Sequence, residues 1–477
     1  MALKRVMFGA AALSAARMFQ LGTSFIAVPI MTRLLAPADY GVVAIAMAMV
    51  ALTIYLGDGG LGRSLMRAGP MDMDVWSSAY WLVTGSTSAL AVLVALAAWP
   101  LSIFYNEPNL FLATLALAAI PALFGASEIP AQTLFQREKL GWLAGAEVIS
   151  ALAGIGTAIW LAFSGAGVWA LVAQNVVMYA VKLAVIQAAS NFWPRFVFRL
   201  SLLGPHFAFT RDSIGSAVMQ FIGRQTDPLV IGKVLGAATL GFYSIAYRIM
   251  QMPGVVLCTP LMAALYPRLA RIKDDKRAIK ELVLAVTMAQ AALILPPMTA
   301  LAVASHSVFT LLLSERWAPT APLFSALAVA GMAQAVTQLS GTVLQAVGRT
   351  GARLRVTVEF AILWALSALV LVHFGAEVVA WGFTAVTLLY LGRLLHTFLK
   401  PIDCTMSEYF EALLGPVLVS AGIVATHLML VSSLHPNAWE EAALACAEAL
   451  GGIGFFLLAQ RRAIQARLQS VRVILQS

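Results

Sequence analysis

The sequence predicts an all-α, polytopic membrane protein of about fourteen transmembrane helices, built as two pseudo-symmetric six-helix lobes with two further helices after them. Three observations carry that prediction. Hydrophobic residues make up 61% of the chain and charged residues 11%, with a mean hydropathy of +0.86, where a soluble globular chain would be about a quarter charged. Apolar runs of roughly 18 to 25 residues recur from end to end, the length that crosses about 30 Å of hydrocarbon. The chain also repeats itself. RLLAPADYGVVAIA from Arg33 returns about 200 residues later as KVLGAATLGFYSIA from Lys233, a period far beyond any solenoid. GAGVWA from Gly165 likewise returns as GAEVVA from Gly375.

Taken in order, the first six helices lie near 7–32, 41–62, 76–99, 110–134, 142–163 and 168–189. The next six lie near 207–234, 241–265, 282–304, 320–345, 352–373 and 377–397, and two more near 411–432 and 440–460. Breaker residues separate them: Ala36-Pro37, Asn106-Glu107-Pro108, Gly165-Ala166-Gly167 and His435-Pro436-Asn437. The first helix opens like a signal peptide, but its apolar run is too long for an h-region and Arg17 interrupts it, so it reads as an uncleaved span. Residues 1–200 form the first lobe, 201–400 the second, and 401–477 the last two helices with a basic cytoplasmic tail. Outside the helices, Lys and Arg crowd one side, the exceptions being Arg33, Lys233 and Arg316. The positive-inside rule then puts both termini in the cytoplasm.

This topology accounts for the net charge of +9 without a nucleic-acid partner. The longest polar stretch, RLARIKDDKRAIKE from Arg268, is too short for a soluble catalytic domain, and its Asp274-Asp275 pair sits in a solvated charge run. Cys258, Cys404 and Cys446 imply no disulfide framework, and the histidines show no metal-ligand spacing. In the tail, Ile464, Leu468, Val471 and Leu475 share one helical face and suit a helix on an anionic leaflet, although a disordered basic tail fits too. Phe192, Trp193, Phe196 and Phe198, mixed with Arg195 and Arg199, read as an interfacial link between the halves.

Function must then reside in the polar residues inside the spans, since an Arg or Asp at a helix centre costs about 2.5–3.5 kcal/mol to insert. Ser213, Ser216, Gln220, Arg224 and Asp227 form one stripe along helix 7. Helix 8 carries Tyr247, Arg248 and Gln251 before Pro253, with Arg248 about 11 Å in from Gly241. Helix 1 contributes Arg17, Gln20 and Ser24 at helical spacing. Arg17, Arg224 and Arg248 are candidate cavity cations, with Gln20, Ser24, Gln220, Gln251 and Tyr247 as polar lining. Arg224 and Asp227 would also satisfy an i,i+3 ion pair, and Arg17 could snorkel. Asp227, Glu128, Asp58 and Glu359, with Glu147, are candidate coupling acids, although for Glu128, Asp58, Glu359 and Glu147 a structural partner on a neighbouring helix is the preferred reading. Duplicated halves in an apolar chain are typical of transporters with a site between the halves.

An N-terminal helix followed by TRLLAPADYGVVA and LGDGGLGRSLMR resembles the Wzx-type oligosaccharide flippases of the polysaccharide-synthesis family. So does the central RQTDPLVIGKVLGAATLGFYSIAYRIMQMP, ending in LYPRLARI. The resemblance runs the length of the chain. It implies two six-helix lobes around a central cavity, alternating access, and no enzymatic chemistry or cofactor. The implied substrate is a polyprenyl-diphosphate-linked oligosaccharide (an O-antigen, capsule or exopolysaccharide repeat unit), with membrane lipids around it and polysaccharide polymerase and chain-length machinery as partners. Lipid II flippases of the same superfamily hold the diphosphate with arginines in helices 1, 2 and 8. Arg17 and Arg248 match helices 1 and 8, whereas AIAMAMVALTIY in helix 2 has no base and Arg63 stands at its cytoplasmic end. The chemistry agrees, because guanidinium groups hold phosphate oxygens bidentately. A cation-coupled multidrug exporter would want a carboxylate in the first lobe, and helix 1 has none. A glycan polymerase or ligase would want a substantial outward loop, and the outward loops are short.

Overall fold

The computed structural model describes residues 2–58, 60–67 and 71–461, and every regular element among them is helical. The tail from 462 onward lies outside the described residues, as do the side chains of Ser24 and Asp58. By contacts the chain divides into two compact units, Met1–Ser244 and Ile245–Ser477.

The first unit holds α1 (Ala2–Leu34), α2 (Pro37–Asp58), α3 (Leu61–Arg67), α4 (Met73–Tyr105), α5 (Pro108–Leu117), α6 (Ala119–Gln136), α7 (Leu140–Phe163), α8 (Val168–Ser190), α9 (Phe207–Leu235) and the opening of α10 (Ala237–Pro253). Its helices end where the breakers predict. Asn106 and Asn191 close α4 and α8 in the left-handed conformation, at φ 53 and 48. Pro108 opens α5, where its missing N–H costs nothing. α1 packs on α7, α7 on α8, α4 on α6 and α2 on α9. One core cluster joins Leu13 and Ala16 of α1 to Leu134, Leu143, Ala146 and Ile186. After α8 the chain folds back on α4. Trp81 donates its ring N–H to Arg195 O at 2.8 Å, and Ser77 and Ser78 accept the backbone N–H groups of Arg195 and Arg199. Phe192 is buried while Trp193 and Phe196 stay exposed, as residues at a lipid–water boundary would.

The second unit continues with α11 (Thr259–Arg271), α12 (Lys276–Val303), α13 (Ser305–Leu313), α14 (Thr320–Thr337), α15 (Leu339–Ala346), α16 (Thr350–Leu371), α17 (Ala376–Leu399), α18 (Met406–Leu434) and α19 (Ala438–Ala459). α12 is its central helix, packed by α14, α18 and α19. Two capping boxes, Thr405 with Glu408 and Asn437 with Glu440, start α18 and α19. Pro253 cannot supply an N–H to the turn before it, and a π-helical turn, Gly254–Cys258, follows it. Here the runs Ala237–Met262 and Ala264–Arg271 meet at 44°.

The expected spans fall on helices, and among the described residues fewer than fourteen are long and apolar enough to qualify as spans. Among the described residues eleven helical segments are long and apolar enough to cross a membrane, or twelve with the bent pair counted as one. α1 and α9 fall outside that set, and they carry the embedded polar residues Arg17, Gln20, Arg224 and Asp227. The chain is a multi-pass, all-α membrane protein. Its outer surface is apolar, with Trp99, Trp160, Phe163 and Leu389 more than half exposed, as a lipid-facing surface requires.

The repeat seen in the sequence closes on itself in space. A Cβ added to Gly41, in the first turn of α2, would overlap the backbone carbonyl of Ala237. A Cβ added to Gly241, in the first turn of α10, would overlap the carbonyl of Pro37. Equivalent residues of the two copies thus exchange the same contact, the reciprocity of a two-fold axis. Only glycine permits so close a backbone approach. Gly41→Ala and Gly241→Ala should each destabilise by about 1–3 kcal/mol. Gly156→Ala, where a methyl meets nothing within 4 Å, should not. Melting temperatures of the detergent-solubilised protein check this, and equal values for all three would refute the crossing.

Candidate functional site

α1, α7 and α8 border a half-open cavity of about 310 Å³ lined by Arg17, Gln20, Glu147, Met178, Tyr179 and Lys182. Its walls follow from helical periodicity. Arg17 and Gln20 are i,i+3 on α1, and Met178, Tyr179 and Lys182 span little more than one turn of α8. Arg17 lies about 22 Å along α1 from Ala2, near the middle of the helix. Lys182 Nζ stands 2.8 Å from Glu147 Oε1, with the side chains 31% and 13% exposed. Gln20 Nε2 points to the Met178 sulfur at 3.7 Å. Counting Arg17, Lys182 and Glu147 as ionised, the cavity carries one net positive charge. Such a site can hold an anion, with guanidinium and ammonium donors on its walls.

Of the residues singled out in the sequence, Arg17 and Gln20 meet in this cavity, joined by Lys182, Glu147 and Tyr179. The available signal was a base and an acid on consecutive apolar helices, Glu147 on α7 and Lys182 on α8. The stripe on α9 divides differently. Gln220 and Arg224 are exposed and do not line the cavity, whereas Asp227 is 1% exposed and accepts the Tyr243 hydroxyl at 2.8 Å. In the second unit Arg248 is exposed on α10, flanked by the half-buried Tyr247 and Gln251. The Tyr247 ring packs edge-on against Phe383, with centroids 5.7 Å apart. Among the acids, Glu128 accepts the Gln132 amide at 2.8 Å. Glu359 accepts the Tyr390 hydroxyl at 2.6 Å and the Arg393 guanidinium at 3.2 Å, which ties α16 to α17. Among the described residues no group of three or more His, Cys, Asp or Glu could hold a metal ion.

An internally duplicated bundle of apolar helices with a charged pocket sunk among them defines a polytopic integral membrane protein. The sequence matches, over residues 30–322, the family described as polysaccharide biosynthesis protein, and the chain belongs to that family. It is 29% identical over 313 residues to the succinoglycan biosynthesis transport protein ExoT of Rhizobium meliloti (strain 1021), covering 65% of this chain and 62% of that one, less than two thirds of its length. It is 25% identical over 425 residues to the teichuronic acid biosynthesis protein TuaB of Bacillus subtilis (strain 168), covering 87% of each chain. Over 341 residues it is 23% identical to the lipopolysaccharide biosynthesis protein WzxC of Escherichia coli (strain K12), covering 69% and 67%. Among solved structures, the lipid II flippase MurJ in an inward closed conformation superposes with a TM-score of 0.76 at 12% identity, covering 96% of this chain and 100% of that one. A point mutant of the Vibrio cholerae MATE transporter VcmN gives 0.56 at 13%, covering 85% and 98%. These two share the fold.

The Lys182–Glu147 bridge makes a prediction of its own. Lys182→Ala strands a mostly buried carboxylate and should cost about 1–3 kcal/mol. Adding Glu147→Gln should recover most of that, a coupling that a double-mutant cycle of melting temperatures reads directly.

Proposed function

We propose that the chain is a flippase that moves a polyprenyl-diphosphate-linked oligosaccharide across the bacterial inner membrane by alternating access. The observation that carries this reading is the positively charged cavity at Arg17, within a chain whose relatives are named for polysaccharide biosynthesis and transport. A diphosphate cannot cross hydrocarbon unaided. Arg17 and Lys182 supply donors for its oxygens, Gln20 and Tyr179 suit sugar hydroxyls, and the prenyl tail stays in lipid. The two repeats act as the lobes of the carrier, residues 1–200 and 201–400, with Arg248, Tyr247 and Gln251 as the second lobe's contribution and Arg224 and Gln220 as further polar lining. The asymmetry of Lys and Arg supports cytoplasmic termini. A polymerase and chain-length machinery would take over the exported unit on the outer face.

The rival reading, a cation-coupled drug exporter, gains a carboxylate that the sequence did not place, since Glu147 lines the cavity. Lys182 neutralises that carboxylate, and Arg17 leaves a charge that repels a cationic drug. Arg17→Ala should cut surface glycan by about tenfold or more at equal membrane level of the protein, with Arg17→Lys partly active. Arg248→Ala should act in the same direction. Lipid-linked repeat units should accumulate on the cytoplasmic side. Normal surface glycan in Arg17→Ala would remove the cavity from the mechanism.

A further inference from the structure

The second unit buries a histidine between two carboxylates, in a part of the fold the cavity does not reach. His427 of α18 is 2% exposed. Its Nδ1 stands 2.8 Å from Glu448 Oε2, and its Nε2 stands 3.5 Å from Glu441 Oε1, both on α19. Nε2 makes no hydrogen bond with that geometry and is fully buried. Glu441 also accepts the Ser307 hydroxyl of α13 at 2.6 Å, and the Thr426 hydroxyl reaches Glu448 Oε1 at 3.4 Å. α12 completes the packing and contributes no titratable side chain from Ala291 to Val303, while α18 offers none but His427 between Glu411 and His435. α13, also packed on α19, carries His306, which is exposed beside Ser307, so among the described residues the buried ring faces these two carboxylates. Two carboxylates facing the two ring nitrogens suit a doubly protonated imidazolium, and a neutral ring suits them only if one carboxyl holds a proton. With no proton beyond the neutral ring, two negative charges would face one buried imidazole, which is costly.

The three groups are also graded in depth. Glu441 sits in the first turn of α19, beside Ser307 of α13. Glu448, about 10 Å further along the helix, is 9% exposed. It forms part of the wall of a cavity of about 510 Å³ between α18 and α19, lined otherwise by groups such as Leu418, Ile423, Phe455 and Phe456.

We propose that Glu441, His427 and Glu448 form a proton-binding site that takes protons from the membrane face where α19 begins and holds them at Glu448, beside the α18–α19 cavity. In the transfer, the doubly protonated ring passes its Nδ1 proton to Glu448 Oε2 and is left neutral with its remaining proton on Nε2, and a proton from water then neutralises Glu441. The net change is one proton taken up from water, with Glu448 protonated. Resting on the flippase reading and its orientation, this site admits the proton that drives export from the outer side.

The test separates the two claims. Infrared difference spectra of the purified full-length protein, between about pH 5 and about pH 8, should contain the C=O stretch of a protonated carboxyl that titrates. That band should vanish in Glu448→Gln and shift in His427→Gln, with both variants held to wild-type melting behaviour. An unchanged band in both variants overturns the site. Glu448→Gln should also lower surface glycan by about tenfold and abolish its dependence on external pH. Normal, pH-dependent export in Glu448→Gln, with the band gone, overturns the coupling while leaving the proton site. Loss of the band in Glu448→Gln, in a wild-type protein that exports no glycan, supports the site and sinks the flippase reading instead.

Discussion

The structure depends on one close approach, the reciprocal crossing of Gly41 over Ala237 and Gly241 over Pro37. In lipid the hydrophobic effect does not press helices together, so backbone proximity and packing must do so. The crossing fuses α9 and the opening of α10 to the helices of the first repeat. Lys233 fits the same pattern, because its ammonium group lies over the Phe104 ring, 4.3 Å from the centroid, and reaches the Phe104 carbonyl. A cation near the end of a span thereby satisfies the end of α4. The two copies are therefore tied at equivalent positions, and neither glycine can drift unless the other backbone gives way.

Charge inside this membrane protein is used sparingly and almost always answered. Glu359 is held by Arg393 and Tyr390, Asp227 by Tyr243, and Glu147 by Lys182. Those pairs tie neighbouring helices together, because an ion in hydrocarbon is tolerable only beside its partner. Arg17 differs in facing a cavity, with no carboxylate within bonding distance among the described residues. The pairings make Glu359, Asp227 and Glu147 structural braces between neighbouring helices.

Much of this was legible in the sequence because lipid simplifies the code. Helix positions followed from apolar runs, and their ends from breakers such as Asn106, Pro108 and Asn437, which act through local chemistry. The Gly41–Gly241 equivalence was visible as a repeat, though not as a contact. Arg17 and Gln20 were found by their spacing on one helix. Lys182 and Glu147 were missed as cavity residues because their meeting depends on how α7 and α8 rotate against each other, which no single-helix pattern encodes. His427, Glu441 and Glu448 escaped for the same reason. A lone histidine in an apolar run reads as packing until a second helix brings it acids.

The ammonium–carboxylate bridge in the α1–α7–α8 pocket also bears on how tightly that pocket can grip. Any phosphate reaching for Lys182 must first pull it from Glu147, so part of every attraction is cancelled in advance. Departure restores the bridge and is correspondingly eased. On the proposed reading of a carrier, a built-in competitor of this kind keeps the hold brief enough for release.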